Sequence, residues 1–306
     1  GHLDKGYIVP EAALKKLRAA KRLGQTVYIY GATGYGKTEL VKQYLSKRRY
    51  RYISCTEDFA GLLETAQEEG KEAEPRTVTV VDDLHLLKDA EGRRAVLSLI
   101  KRRDVWLILI CRSPIPVWLM PPYVGGGLLV ITEDDLRLEK KETVAYMKSR
   151  GLDVTEEELE FVTQRSRGNA YIVRHAALKM LEGLRPGPKL EQEIAEAFAG
   201  YLESCVMVQW DSDLMEFLMQ VSVADEFTLP FAEMVTGNSH APELLERAVE
   251  TGNFLSCKDG VYRLRPQLIR ALRRRAAKEY SPQERAGHMY NAGLYYEMQG
   301  QIVPAL

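Results

Sequence analysis

The chain has 306 residues, enough for about two or three domains and a sizeable core. Its 42 basic residues stand against 43 acidic ones, so no global field directs it to nucleic acid or to a membrane surface. The four cysteines, Cys55, Cys111, Cys205 and Cys257, form no C-x-x-C pair, which argues against a disulfide framework and against a zinc site, and suits a reducing cytoplasm.

Gly1-His2 reads as a cleavage scar left by expression, and no apolar leader follows it. Pro10 to Leu23 has amphipathic helical spacing, with Leu14, Leu17 and Leu23 expected on the inner side. Thr26 to Tyr30 is a β-branched and aromatic run that predicts a strand, and Glu39 to Leu45 has helical spacing. Between them, Gly31-Ala32-Thr33-Gly34-Tyr35-Gly36-Lys37-Thr38 matches G-x-x-x-x-G-K-[ST] at every fixed position. Its glycines let the backbone turn N–H groups toward phosphate oxygens, and the new helix adds the positive end of its dipole. Lys37 is expected to reach the β- and γ-phosphates and the Thr38 hydroxyl to ligate Mg²⁺; the whole run from Gly31 to Glu39 is assigned to the nucleotide.

Tyr50 to Ser54 predicts a second strand, and the acidic segment Glu64 to Glu74 a solvated helix and loop. Thr77-Val78-Thr79-Val80-Val81-Asp82-Asp83 describes a buried parallel strand ending in a carboxylate, about 45 residues after the phosphate loop. At the C-terminal edge of such a sheet, Asp82 is expected in the Mg²⁺ shell and Asp83 beside the attacking water, which it orients or deprotonates. A helix over Ala90 to Arg103 leads to the apolar strand Val105 to Cys111, itself far too short to span a bilayer. Arg112 at its tip has two readings: a γ-phosphate sensor, because a guanidinium fork matches phosphate, or a solvated strand-end charge. Leu128 to Thr132 is the last strand of this sheet.

Beyond it the chain turns helical. Asp134 to Gly151, Thr155 to Arg165 and a helix opened by Gly168-Asn169-Ala170 and running to Leu181 form a small bundle, with Thr155 and Glu158 as a capping box. Arg185-Pro186-Gly187-Pro188 marks a boundary. Leu190 to Cys205, Asp213 to Val221, Pro230 to Val235 and Pro242 to Glu250 are helical, and the strands Asn253 to Cys257 and Val261 to Leu264 meet through Lys258-Asp259-Gly260. Helices followed by a hairpin predict a winged helix. Its groove-entering helix carries Glu243, Glu246 and Glu250 against Arg247, the wrong sign for phosphate. The basic run Arg263, Arg265, Arg270, Arg273, Arg274, Arg275 and Lys278 is read chiefly as a solvated or interdomain face, with nucleic-acid contact as the alternative. Ser281-Pro282-Gln283-Glu284 starts a helix through Gln299, and Gln301 to Leu306 begins another, as in a helical repeat that the chain leaves unfinished.

The predicted fold is therefore an α/β P-loop NTPase, a parallel sheet flanked by helices (1–133), followed by a small helical domain (134–188), a winged-helix domain (189–280) and the start of a TPR-like repeat (281–306), truncated. A soluble cytoplasmic protein with no membrane partner is expected. His85, His175, His240 and His288 lack ligand spacing and are read as satisfied structural histidines.

This ordered set resembles the signal-transducing STAND ATPases, in particular the MalT-like branch of the LuxR-type bacterial transcription regulators. The likeness is carried by Gly34-Tyr35-Gly36-Lys37-Thr38, Asp82-Asp83, Cys111-Arg112-Ser113-Pro114, Asp135-Leu136-Arg137-Leu138, Arg150-Gly151-Leu152, Tyr262-Arg263-Leu264 and Ala292-Gly293-Leu294-Tyr295-Tyr296-Glu297. It implies a switch: ADP holds a closed monomer, inducer permits exchange for ATP, and the ATP form, a weak ATPase with slow hydrolysis, self-associates and activates transcription. Inducer and promoter DNA would be met through C-terminal domains absent from this chain. Where related proteins often have a nucleotide-contacting histidine, this chain has Arg265-Pro266, whose guanidinium is expected to keep a phosphate contact; where many have Gly-x-Pro against the base, it has Gly168-Asn169-Ala170. Adenine contacts are expected from the Tyr7 to Pro10 backbone. Two other classes stay open: an AAA+-like DNA-handling ATPase with a DNA-binding winged helix, disfavoured by Asp-Asp where Asp-Glu is usual, and a scaffold that has lost turnover.

Overall fold

The computed structural model describes residues 8–31, 34–68, 76–250 and 254–300. Tyr7, Ala32, Thr33, the acidic stretch 69–74, the strand start at Asn253 and the helix expected over Gln301 to Leu306 lie outside them. The chain divides into two compact units, residues 1–194 and 195–306.

The first unit opens with α1 (Glu11–Leu23), whose cap Gly24 turns left-handed into β1 (Thr26–Tyr30). Then come α2 (Lys37–Tyr44), β2 (Tyr50–Ser54), α3 (Phe59–Gln67), β3 (Thr77–Asp82), α4 (Ala90–Lys101), β4 (Val105–Cys111), a short α5 (Met120–Val124) and β5 (Leu128–Ile131). All pairings are parallel, in the order β2-β3-β4-β1-β5. The β-branched, wholly apolar run of β4 has all seven residues buried, as a strand covered on both faces requires. Because β1, β4 and β3 are parallel, the phosphate loop, Arg112 and Asp82 leave the sheet at the same C-terminal rim, where open α/β sheets hold ligands, with Arg112 on the middle strand.

The inner stripe of α1 differs from the expected one. Ala13, Leu17 and Ala20 are buried, Leu14 is intermediate and Leu23 is 66% exposed. At about 100° per residue, Leu14 and Leu23 fall on opposite flanks of the Ala13-Leu17-Ala20 stripe, so they cannot share a face.

Four helices complete the unit before the connection: α6 (Glu133–Leu136), α7 (Lys140–Ser149), α8 (Glu156–Ser166) and α9 (Ala170–Leu181). The single helix expected over Asp134 to Gly151 is two, because Arg137 is extended (ψ 139°) and Glu139 starts afresh, its N–H bonded to Glu142 Oε2 at 2.5 Å. The extended link is held by the Leu138 N–H on the Gly168 carbonyl, 2.9 Å. The Thr155–Glu158 capping box of α8 is present as read.

α10 (Pro188–Cys205) leads into the second unit: α11 (Ser212–Val221), β6 (Glu226–Thr228), α12 (Leu229–Thr236), α13 (Ala241–Glu250), β7 (Leu255–Lys258), β8 (Val261–Leu264), α14 (Pro266–Glu279) and α15 (Pro282–Met298). The sheet is antiparallel, β6-β8-β7, and its hairpin turns at Asp259 and Gly260, both at positive φ as a type I′ turn needs. Three helices and this sheet make the winged helix. Phe227 stacks on Tyr262, and Tyr295 and Tyr296 of α15 pack on Phe231, so the last helix is anchored to the winged-helix core.

Candidate functional site

The C-terminal rim of the parallel sheet opens into a cleft of about 440 Å³. Gly34 (φ 88°) and Gly36 (φ 76°) are left-handed, a conformation that costs an ordinary L residue about 1–2 kcal/mol, and Gly36 is the N-cap of α2. The turn they allow brings the first N–H groups of α2 to the cleft wall, an arrangement that favours anions.

Lys37 is buried, and its Nζ donates to the Gly31 carbonyl at 2.6 Å. Burial, joined by the charge of Arg112, lowers it to about 8, with Asp82 acting in the opposite direction. Thr38 Oγ1 donates to Asp82 Oδ2 at 2.9 Å, uniting two residues 44 positions apart. Tyr52 OH donates to the same oxygen at 2.5 Å, and the Asp83 N–H to Asp82 Oδ1 at 2.7 Å, so both oxygens of Asp82 are held. The Tyr52 hydroxyl is accordingly raised, by burial and then by the carboxylate it donates to. Asp83 starts a 3₁₀ turn (Leu84–Leu86) with φ 59°, and its Oδ2 accepts from Ser54 Oγ at 3.3 Å.

Arg112 lines the same cleft. Its position is set from below: Tyr28 OH donates to the Ser113 carbonyl at 2.9 Å and to that of Pro114 at 3.2 Å, pinning the turn after β4 to β1. Glu39 also lines the cleft and accepts from Gln43 Nε2 at 3.2 Å. Gly31 takes part through its carbonyl, whereas Tyr35 is buried outside the cleft wall. Arg265 belongs to the second unit, where it precedes α14 with its guanidinium 5.7 Å over the Phe254 ring.

Several lining residues escape the sequence reading. Tyr52, behind the lining, reaches Asp82 because it shares a strand face with Ser54, and Ser54 pairs in register with Asp82. Strand alternation was visible in the sequence; the register was not. Tyr171 and Arg174, one turn apart at the start of α9, line the cleft from the helical bundle. His85, read as a satisfied structural histidine, lines it too. Its Nδ1 is buried with no hydrogen-bond partner among the described residues, and burial, then Arg112 and Lys37, lower it to about 4. Among the described residues no three His, Cys, Asp or Glu side chains gather as a metal cage, and no helix is long and apolar enough to cross a membrane.

Residues 202–284 match the MalT winged helix domain family. A Walker-type ATPase of Pyrococcus abyssi is similar at 13% identity and a TM-score of 0.57, over 86% of this chain and 95% of that one, a likeness of fold. A STAND protein with a tetratricopeptide repeat sensor from Pyrococcus horikoshii matches at 15% identity and a TM-score of 0.44, over 96% of this chain and 45% of that one. The RuvB Holliday junction branch migration motor of Thermotoga maritima matches at 16% identity and a TM-score of 0.47, over 89% and 94%. No curated protein sequence matches the chain.

Proposed function

We propose that this chain, a P-loop ATPase core joined to a MalT-type winged helix, is the ATP/ADP-switched core of a cytoplasmic, LuxR-type signal-transducing transcription regulator. The observation that carries this reading is the Thr38–Asp82 hydrogen bond beside Lys37 at the mouth of the phosphate loop. Lys37 is assigned to the β- and γ-phosphates, the backbone of Gly34 to Glu39 to the phosphate oxygens, and Arg112 to the γ-phosphate. A hydroxyl and a carboxylate are hard oxygen donors, and so small a protein ligand set fits Mg²⁺, which keeps waters and takes phosphate oxygens. Thr38 and Asp82 would hold it, and the ion would neutralise phosphate charge. Asp83, held by Ser54 at 3.3 Å, is the group to orient or deprotonate the attacking water.

In this reading ADP stabilises a closed resting form, ATP favours self-association, and slow hydrolysis resets the switch. The DNA-handling alternative is disfavoured by the exposed acids Glu243 and Glu246 on α13 and by the internal pairing of Arg263, Arg273, Arg274 and Arg275. The test is direct. The purified chain is denatured and the released nucleotide identified, and ADP affinity is measured for the wild type and for Lys37→Ala. Retained ADP and a loss of at least about 100-fold in the variant, about 3 kcal/mol for a desolvated charge on phosphate, are expected. Normal ADP affinity in Lys37→Ala overturns the site, and rapid steady turnover of ATP overturns the switch in favour of a motor.

A further inference from the structure

The second unit contains a cavity of about 550 Å³, within the size range of small-molecule pockets, between the end of α11 and helices α14 and α15. Its walls are apolar and adaptable: Met219 and Val223 on one side, Ala276 on α14, Met289 and Tyr296 on α15. The edge of the Tyr280 ring against His288, centroids 5.1 Å apart, closes one end.

The charges around it balance in number but not in pairing. Asp225 pairs with Arg273 at 2.9 Å, and Glu226 with Arg263 at 2.8 Å. Glu284, the acid next to Arg285 in the chain, is committed to the helix cap through the Ser281 N–H at 2.7 Å. Arg285 is left over. Its guanidinium lines the cavity, is intermediate in exposure, and makes no hydrogen bond or ion pair among the described residues, with Nε buried and without an acceptor. A cation held half out of water beside apolar walls, with a donor unused, is costly unless an acceptor arrives. A carboxylate suits a guanidinium fork, and a hydrocarbon or aromatic body suits the Met-rich walls.

We infer that this cavity is a binding site for a small organic carboxylate with an apolar body, gripped at its acid end by Arg285. The site is independent of the phosphate loop: its residues all lie in the second unit. A ligand there touches both α14 and α15, so its occupancy is felt at the junction between them.

Phenylbutyrate and phenylbutanol, alike in body and different in charge, are the probes, read by methyl NMR of Met219 and Met289 in the whole chain. Phenylbutyrate is expected to shift both methyls saturably, in the wild type and in Lys37→Ala alike, with phenylbutanol about tenfold weaker. Arg285→Gln is expected to bring the carboxylate down to the alcohol and leave the alcohol unchanged. Met289→Trp, which fills the cavity, is expected to abolish both. The inference is overturned if the methyls do not move, if the alcohol binds as tightly as the acid, if Arg285→Gln binds the acid normally, or if binding survives Met289→Trp.

Discussion

Asp83 holds φ 59°, a left-handed backbone that Asp and Asn tolerate better than other L residues because their short polar side chains bond locally. The choice of substitution therefore decides what an experiment measures. Asp83→Asn keeps the conformation and removes only the base; Asp83→Ala adds about 1 kcal/mol of backbone strain to the same chemical loss. If Asp83 serves the attacking water, the asparagine variant should bind ADP normally and hydrolyse ATP about 10²–10⁴-fold more slowly, as read by single-turnover phosphate release. Unchanged turnover would move the role elsewhere. His85 gives a second residue-scale test, of stability and not of turnover. Its folded-state value, about 4, lies below the ordinary 6.5, because burial and the neighbouring Arg112 and Lys37 disfavour its charged form. The neutral ring's contribution is therefore complete above pH 6.5 and is lost as pH falls from 6.5 toward 4. Between pH 7.5 and pH 5 the linkage, discounted for the solvent that reaches this partly exposed ring, amounts to about 1 kcal/mol. Urea unfolding of the first unit should show the wild type losing about that much more stability than His85→Gln over the same interval. Equal losses in both proteins would mean that His85 is not held neutral by the fold.

At the scale of elements, what the sequence made legible was what local chemistry determines. The Gly34-Tyr35-Gly36 turn into α2, the boxes at Thr155–Glu158 and Ser281–Glu284, and the Asp259-Gly260 hairpin are set within a few residues, and each is present. The three-residue strand β6 escaped because its apolar signal is one residue, Phe227, and only pairing with β8 makes it a strand. The break between α6 and α7 escaped for a similar reason: the extended link at Leu138 is fixed by Gly168, thirty residues on, through a 2.9 Å hydrogen bond. Gly168 itself read as a helix opener and, with Asn169-Ala170, as standing where related proteins have Gly-x-Pro against the base. In the fold its φ is 72°, and a Cβ there would stand 2.7 Å from the Leu138 carbonyl oxygen and 2.9 Å from Arg137 Cβ. Gly168→Ala should accordingly cost about 2 kcal/mol or more, since left-handed strain and a backbone clash add. Because α9 carries Tyr171 and Arg174 to the cleft, the same variant should weaken ADP binding, measured by calorimetry beside its unfolding curve. An alanine variant as stable as the wild type would show that the α6–α7 link can shift without loss.

Across the whole molecule, charge decides between a nucleotide switch that leaves DNA to other regions and a DNA-handling motor. A net charge of −1 supplies no long-range attraction, so any affinity must come from a local face. The helix of a winged helix that would enter a groove is α13, and its exposed Glu243 and Glu246 present the sign of the phosphates themselves. Its one arginine, Arg247, is paired with Asp211. In the basic run of β8 and α14, Arg270 and Lys278 are exposed and four of the arginines are held in ion pairs. Arg263 is paired with Glu226, Arg273 with Asp225, Arg274 with Glu196 and Glu203, and Arg275 with Glu279. Each of these exposed pairs must open before its arginine can displace counterions from a duplex, at about 0–1 kcal/mol each, which offsets part of the gain that counterion release supplies. Duplex DNA should therefore bind more weakly than about 10⁻⁴ M at physiological salt, with a salt slope no steeper than about −2, what Arg270 and Lys278 alone would supply. Fluorescence anisotropy from 50 to 200 mM salt reads this directly, with and without ATP, and a slope steeper than about −3 would require several free phosphate contacts and restore the motor reading.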